Sequence, residues 1–541
     1  MEQVEAQARA LLAQATAHAA PIVDEVAKLA LPVAEPVYKA HLQFQEFLSA
    51  NHNLIPHMAW EESASGTLGL SLSQFRFTLA LFASVILVAG VRLFRNPTLR
   101  HLYAVATGIL IIYYPFGSSI MHVLPMAVAA YLAMLLAPRR AGLIAWCTVF
   151  PYLIYLHVVN ASGESWKTGN MDFTGGAMVA VLKLISICVC RADSFRKNKE
   201  DLSPYQSAHQ LTRTPSPLEF VSYLFGLGNL LAGPFYEFSD YKAFMSLKGP
   251  WDPKGPSGAG GRRLPPVLLH GLAALLEGLW HMGVYLALTL NGWSMEHYHS
   301  DWYYSQPLYI RVGSFCVIGA VYQLRYYFTW KITEASYVFA GLDWQGWAAD
   351  GKPQWGRCRN CSFLGVWLAD SARNVPLNWN IATGVFLRRY VYERVAPAPP
   401  RKPGFQSLLF TQLISAVWHG LYPGYLLFFT GTAVWIYFSQ VVFKAEAYLP
   451  KALVASLPYR AVKIAWTTFV LNYMAAAFQL LDWQQSITSY ASVAFFPWKV
   501  MLVVNVLGSF IKPKRSPKPK AGAGAANGSA NGAKANGVKA E

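Results

Sequence analysis

Apolar segments close to the length of a bilayer crossing recur along most of this chain, and they constrain its fold more than any other feature. An α-helix needs about 20 mostly apolar residues to cross the hydrocarbon core. Only 13% of the 541 residues are charged, against about 25% in typical soluble proteins. The candidate spans are residues 75–94, 101–115, 121–136, 141–159, 173–190, 220–235, 267–290, 310–330, 405–418, 425–443, 464–481 and 491–510. The sequence therefore predicts an all-α polytopic membrane protein with about eleven transmembrane helices, some of them tilted or re-entrant.

The positive charge of the chain predicts its orientation in the membrane. The formal net charge is +17, and in so apolar a chain this favours basic loops against anionic lipid headgroups over nucleic-acid binding. Lys and Arg mark cytosolic loops, and here they cluster in the first, third and fifth loops, around Arg95, Arg139 and Arg196. We therefore expect the odd-numbered loops in the cytosol, membrane lipids as partners, and no nucleic acid.

Three regions follow from the same pattern. Residues 1–72 precede the first span, carry several acidic residues and are predicted to be a partly helical luminal segment. Residues 73–511 form the membrane domain. Residues 512–541 contain seven Lys or Arg, one Glu and no apolar residue larger than Ala except Val538. That composition predicts a disordered, basic cytosolic tail.

The Cys and His residues do not predict a metal site. Cys358 and Cys361 have the spacing of half a zinc site, but no second Cys or His pair lies at a matching distance. His281 lies inside a predicted span and needs a hydrogen-bond partner there. Glu277, four residues earlier on the same helical face, is a suitable partner.

One histidine stands where an apolar helix is interrupted. A predicted helix runs from Phe405 to His419 and then meets Gly420, Pro423 and Gly424, residues that end helices and permit close backbone approach. An ionisable group at membrane depth is costly and is functional by default. With no carboxylate nearby in the sequence, we expect a neutral imidazole that acts as a general base. A core histidine that caps its own helix is the alternative.

A second polar residue projects from an apolar surface upstream. Pro376 is predicted to open a helix, on which Trp379 and Phe386 share one apolar stripe and Asn380 and Thr383 an adjoining one. Asn380 needs a hydrogen-bond partner in these surroundings, either protein or substrate. Arg388 and Arg389 follow about two turns later, where they reach water or an anion.

These two segments resemble the membrane-bound O-acyltransferase (MBOAT) superfamily, and in particular its lysophospholipid acyltransferase branch. The first reads WNxxTxxxLRRYVY from Trp379, and the second reads WHGxxPGY from Trp418, with its His 39 residues after the Asn. Supporting matches are DFTGGAM at 172–178, GPFYEF at 233–238 and RYYFTWKITE at 325–334. The family often has Trp where this chain has Phe386. By resemblance, His419 is the catalytic histidine and Asn380 the catalytic asparagine paired with it.

The resemblance implies helices of MBOAT type around an intramembrane reaction chamber, in the endoplasmic reticulum membrane. It implies an enzyme that moves a fatty acyl group from acyl-CoA to the free hydroxyl, often sn-2, of a lysophospholipid during phospholipid remodelling. Acyl-CoA is then a substrate and no cofactor is required. Asn380 either donates to the oxyanion or orients the hydroxyl. The expected substrate-binding residues are Trp379, Thr383, Arg388, Arg389, Tyr236, Glu237, Tyr326, Tyr327, Trp330, Lys331, Glu334, Trp418 and Gly420.

Some of these binding residues also have a physical argument in their favour. Coenzyme A is a polyanion, so Arg388, Arg389 and Lys331 are candidates for its phosphates. Aromatic residues of 325–334 are candidates for the lipid pocket.

Other functions compete with lysophospholipid acylation. Within the superfamily, diacylglycerol and protein O-acyltransferases are the nearest alternatives. A membrane transporter is a more remote one, because no pair of related halves is visible in the sequence.

Overall fold

The computed structural model describes residues 39–511, except residues 41, 49, 51, 168, 197–199, 201, 256–264 and 397–403. Most of residues 1–72 and all of the basic tail predicted at 512–541 therefore lie outside the described residues. The first α-helices are α1 Ala59–Thr67, α2 Leu72–Ala89, α3 Pro97–Phe116, α4 Val123–Leu136, α5 Ala141–Asn160, α6 Ser162–Lys167, α7 Thr174–Asp193, α8 Pro204–His209, α9 Pro217–Phe225, α10 Phe238–Met245 and α11 Val267–Leu290.

The second half of the chain continues as helices with one small hairpin. The helices are α12 Asp301–Ser305, α13 Leu308–Ala340, α14 Phe363–Trp367, α15 Ile381–Phe386, α16 Glu393–Val395, α17 Phe405–His419, α18 Pro423–Glu446, α19 Lys451–Val454, α20 Leu457–Leu480, α21 Trp483–Ala491 and α22 Phe496–Ser509. Strands β1 Gly346–Trp347 and β2 Pro353–Gln354 pair antiparallel. A π-helix, Leu387–Tyr392, joins α15 to α16.

The helical segments confirm an all-α polytopic architecture. Among the described residues, seven helical segments are long and apolar enough to cross a membrane, or eight if the bent pair α21 and α22 forms one span. The predicted number of about eleven is not confirmed by this count. The span predicted over 491–510 begins with the bend of 80° between α21 and α22.

The span predicted over 220–235 is wrong. Helix α9 ends at Phe225, and the following residues Leu227 and Gly228 have positive φ values of 60° and 65°. Left-handed residues interrupt the helical hydrogen-bond ladder. The buried Asn229 side chain offsets part of this loss, because its Nδ2 donates to the Pro234 carbonyl at 2.8 Å.

Two of the long helices meet with their backbones in contact. The Gly424 N–H at the start of α18 donates to the Leu481 carbonyl, just after α20, at 2.7 Å. A Cβ atom at Gly424 would lie 2.1 Å from the Ala477 carbonyl oxygen. Only glycine fits such an approach. The beginning of α18 is therefore fixed against the end of α20.

A buried ion pair attaches the segment before the first span to the membrane domain. Glu61 of α1 and Arg76 of α2 lie 2.6 Å apart, with side chains that are each 2% exposed. The Tyr114 hydroxyl of α3 also donates to Glu61. Burial raises the pKa of Glu61, but hydrogen bonds from Arg76 and from the Met58 N–H outweigh it and lower the pKa to about 2. The carboxylate is therefore charged at neutral pH.

Replacing Glu61 should destabilise the protein. Glu61→Gln leaves the buried Arg76 guanidinium without its counter-charge, and we expect a loss of about 3 kcal/mol in the free energy of unfolding. The midpoint of thermal unfolding in detergent measures the effect. Glu62→Gln is the matched control, because Glu62 is the exposed neighbour of Glu61 and should change the midpoint little. Equal midpoints for the two variants would contradict the role assigned to the ion pair.

Candidate active site

His419 stands at the broken helix end that the sequence predicted. Helix α17 ends at His419, Gly420 has a φ of 131°, and α18 begins at Pro423. The Nδ1 atom of His419 lies 2.8 Å from the Ser415 carbonyl oxygen. A carbonyl oxygen only accepts hydrogen bonds, so Nδ1 carries a proton. In the neutral ring Nε2 then holds a lone pair, and it finds no partner among the described residues.

Aromatic rings surround the His419 imidazole. The ring centroids of Tyr425, Phe429 and Phe478 lie 5.8, 4.8 and 5.2 Å from that of His419. These residues belong to α18 and α20, the two helices fixed together at Gly424. The imidazole therefore has a rigid apolar wall on its α18 and α20 side.

Two further helices fix the turn that carries His419. The Trp418 indole N–H donates to the Met178 carbonyl of α7 at 3.1 Å. The buried His157 of α5 donates from Nε2 to the Trp418 carbonyl at 2.9 Å. Sequence reasoning missed His157, because 261 residues separate it from its partner and nothing local marks it. Trp418 and Gly420, predicted to bind substrate, are thus part of the packed helix end.

The prediction that a helix begins at Pro376 is wrong for the first turn. Residues 376–380 are not helical, and α15 begins at Ile381, after Asn380 with φ 47° and ψ 49°. The chain pairs instead with a distant segment, because Ser362 N–H donates to the Asn378 carbonyl at 2.8 Å. Trp379 and Asn380 therefore lie on a loop rather than on the helical stripes that the spacing suggested.

The segment that pairs with this loop contains the two cysteines with half-site spacing. Cys361 forms an isolated bridge with Trp379, and both Cys358 and Cys361 are buried free thiols. Between them Asn360 donates from Nδ2 to Asn380 Oδ1 at 3.3 Å. Sequence reasoning missed Asn360. Among the described residues, no group of three or more His, Cys, Asp or Glu is arranged to hold a metal ion.

The segments that carry Asn380 and His419 meet at one narrow cavity. Thr383, one turn after Asn380, and Trp418, the neighbour of His419, both line it. The other lining residues are Trp146, Phe150, Val181, Leu182, Ile185, Phe386, Leu387 and Ile414. The lining is apolar apart from the Thr383 hydroxyl. Phe386, where the family often has Trp, is therefore part of the cavity wall.

The predicted aromatic patch lies beside the Asn380 loop. The Trp379 ring centroid is 5.7, 5.2 and 5.0 Å from those of Tyr326, Tyr327 and Trp330 on α13. Aromatic side chains of α13 therefore pack directly against the loop that carries Asn380.

Lys331 is neutralised by carboxylates on two helices. Its Nζ lies 3.0 Å from Glu277 of α11 and 3.1 Å from Glu334 of α13. The carboxylate of Glu277, suggested as a partner of His281, instead forms an ion pair with Lys331. His281 is fully buried, and neither of its ring nitrogens has a hydrogen-bond partner among the described residues.

The two arginines of the WNxxTxxxLRRYVY motif are the second and third residues of the π-helix. Both contact Glu393, at 3.2 Å from Arg388 and 2.6 Å from Arg389. The Arg388 side chain is 60% exposed. Arg389 also lies over the Tyr205 ring, 4.3 Å from its centroid. Since Tyr205 belongs to the fifth loop, these arginines and that basic loop lie on the same face of the protein.

Tyr236 and Glu237 lie in a buried network and do not line the cavity at Thr383. Glu237 accepts hydrogen bonds from the Tyr205 hydroxyl at 2.6 Å and the Tyr390 hydroxyl at 2.8 Å. Tyr236 stacks on Tyr241 with ring centroids 5.6 Å apart. Through Tyr390, the Glu237 carboxylate fixes the π-helix that follows the Asn380 loop.

The sequence model of the MBOAT, membrane-bound O-acyltransferase, family matches residues 143–457. This range is more than half of the chain and contains both Asn380 and His419. The chain belongs to the membrane-bound O-acyltransferase family. The similarity to individual relatives extends beyond the matched range on both sides.

Three relatives illustrate this similarity. Lysophospholipid acyltransferase 1 of Arabidopsis thaliana is 35% identical over 462 residues, which cover 85% of this chain and 98% of the relative. Lysophospholipid acyltransferase 2 of the same plant is 33% identical over 462 residues, 85% of this chain and 97% of the relative. Membrane-bound glycerophospholipid O-acyltransferase 1 of Mus musculus is 27% identical over 469 residues, 83% and 92% of the two chains.

The two buried histidines His157 and His281 should respond oppositely to the same substitution. His157→Phe leaves the buried Trp418 carbonyl without its donor, which we expect to cost about 1–3 kcal/mol of unfolding free energy. His281→Phe removes two unpaired ring nitrogens and keeps the stacking on Tyr327, so stability should be unchanged or higher. Thermal unfolding midpoints in detergent compare the two variants. Equal losses would contradict the hydrogen-bond assignment.

Proposed function

We propose that this chain is a lysophospholipid O-acyltransferase that transfers a fatty acyl group from acyl-CoA to the free hydroxyl of a lysophospholipid. Family membership and the names of the relatives support the reaction class and the lipid acceptor. The observation that carries the proposal is the His419 tautomer: Nδ1 is bonded to Ser415, and Nε2 has no partner among the described residues. The neighbouring residue Trp418 lines an apolar cavity. No cofactor is needed, because the thioester already activates the acyl group.

The proposed reaction uses His419 as a general base. Nε2 takes the proton of the lysophospholipid hydroxyl while its oxygen attacks the thioester carbonyl, a role typically worth about 10²–10⁴-fold in rate. A C–O bond forms and the carbonyl oxygen becomes an oxyanion. The C–S bond then breaks, and the proton on Nε2 passes to the departing coenzyme A sulfur. The products are a diacyl phospholipid and free coenzyme A, and His419 returns to its starting state.

The distribution of charge suggests where each substrate binds. Arg388 and Arg389 share one carboxylate, Glu393, so one positive charge remains for the phosphates of coenzyme A. Lys331 contributes no such charge, because two carboxylates already contact it. The side chains that line the cavity beside Thr383 are apolar, as contact with an acyl chain requires. This arrangement supports a donor that enters from the arginine face and reaches His419 along α17.

Removal of the imidazole should abolish transfer without unfolding the protein. His419→Ala should lower kcat at least about 100-fold, because the base acts in the transition state. Asn380→Ala should be similarly impaired, and His281→Phe should keep near wild-type turnover. The assay is formation of diacyl lipid by purified protein from acyl-CoA and a lysophospholipid in detergent micelles, with diacylglycerol and peptide acceptors offered in parallel.

Two results would contradict this proposal. A His419→Ala variant with more than about a tenth of wild-type turnover loses less than about 1.4 kcal/mol, too little for a general base. A wild-type protein that acylates only diacylglycerol or a peptide would place the chain in another branch of the family.

The proposal also fixes the side of the membrane from which the donor enters. Acyl-CoA does not cross a bilayer unaided, because its phosphates are charged, and the fifth loop beside Arg389 is the predicted cytosolic face. Endoplasmic reticulum vesicles, with that face outward, should contain the protein and consume added acyl-CoA without permeabilisation. A lysophospholipid-free sample is the control. Activity that appears only after the vesicles are opened would reverse the assigned orientation.

A further inference from the structure

The loop that carries Asn380 depends on one buried residue, Asn360. The Ile381 N–H donates to the Asn360 carbonyl at 3.0 Å, and the Ala382 N–H donates to Asn360 Oδ1, also at 3.0 Å. The Asn360 side chain is 2% exposed. Two peptide groups at the start of α15 are therefore satisfied by a residue about 20 positions earlier in the chain.

These contacts determine the orientation of two amide groups. A backbone N–H only donates, so the Asn360 atom that faces Ala382 N is the oxygen and the other is the NH₂ group. That NH₂ group lies 3.3 Å from the Asn380 side chain. Since an NH₂ group only donates, the Asn380 atom that faces it must be the oxygen. The NH₂ group of Asn380 is therefore the part of its amide that takes no part in the hydrogen bond with Asn360.

The remaining NH₂ group of Asn380 makes no hydrogen bond to any residue that the structure describes. Asn380 occupies the position before α15, but its side chain makes no capping hydrogen bond. Its left-handed backbone, with φ 47°, turns the residue away from the helical path. The side chain is partly accessible, and within the described part of the chain its Nδ2 has no acceptor. A donor held in this way can stabilise a developing oxyanion.

We propose that Asn360 is a positioning residue that holds the Asn380 amide with its NH₂ group toward the thioester carbonyl. This inference rests on the proposed acyl transfer. It assigns Asn380 to the oxyanion, because the group left free can donate but cannot accept the hydroxyl proton. Without the Asn360 donor, the Asn380 amide is free to rotate by 180° and to present its oxygen, which repels the oxyanion.

Asn360→Asp tests the proposal with little change of shape. The introduced carboxylate still accepts from the Ala382 N–H but no longer donates to Asn380, and it attracts the Asn380 NH₂ group away from the substrate. We expect kcat to fall about 10²–10³-fold, as for removal of one oxyanion donor, with KM for both substrates within about twofold. Asn378→Asp is the matched control, because its amide donates to the Asn374 carbonyl and has no other acceptor among the described residues. Its kcat should stay within about twofold of wild type.

A double-mutant cycle separates positioning from a general structural role. If Asn360 acts through Asn380, then Asn360→Asp should lower kcat less than about twofold further in a protein that already carries Asn380→Ala. If Asn360→Asp instead causes a general structural defect, the double variant should lose kcat by the product of the two single-variant factors. That result would overturn the proposal.

A second substitution keeps the proposal testable if Asn360→Asp does not fold. Asn380→Asp retains the oxygen that accepts from Asn360 but removes the free donor, so it should be as inactive as Asn380→Ala. Turnover within about tenfold of wild type would show that Asn380 acts through its oxygen and would overturn the inference. These outcomes are separate from failure of the proposed function, which requires that the wild-type protein make no diacyl phospholipid.

Discussion

Peptide groups in the hydrocarbon core must be hydrogen-bonded within the protein, because no water is present to replace a missing partner. This chain interrupts its helices at two places that matter, before α15 and after α17. At the first interruption, residues 360–362 form hydrogen bonds with the peptide groups that the broken helix leaves without partners. At the second, His157 satisfies the Trp418 carbonyl, and Leu481 satisfies the Gly424 N–H. Asn380 and His419, which each keep a hydrogen-bonding atom without a partner among the described residues, stand at these two interruptions.

The same constraint governs the charged groups. Lys331 contacts two carboxylates, and Arg394 forms a bidentate pair with Asp193 at 2.6 and 2.7 Å. Glu237 is buried between two tyrosine hydroxyls. In contrast, Arg388 is largely exposed beside a single shared carboxylate. Each of these buried charged groups is thus paired or hydrogen-bonded, as desolvation requires, and the exposed guanidinium of Arg388 lies on the face of the basic fifth loop.

Helix boundaries that depend on neighbouring residues were predicted correctly from local patterns in the sequence. The end of α17 at His419 follows from Gly420 and Pro423, and the bounds of α11 match the apolar segment 267–290. The turn before α15 was not predicted, since helical spacing continues through Pro376 and the competing partner lies at residues 360–362. Asn360, His157 and the pairing of Glu277 with Lys331 were missed for the same reason. Each depends on which distant segment folds beside it, and periodicity carries no information about that.

Gly424 shows how a residue without a functional group can govern a reaction site. Its position has no space for even one methyl group, because the Ala477 carbonyl oxygen lies 2.1 Å from a Cβ atom built there. A missense change to alanine would displace α18 from α20, and with them the Tyr425, Phe429 and Phe478 rings around His419. In a genetic screen such an allele would resemble a catalytic defect, although the affected residue has no side chain and takes no part in the chemistry.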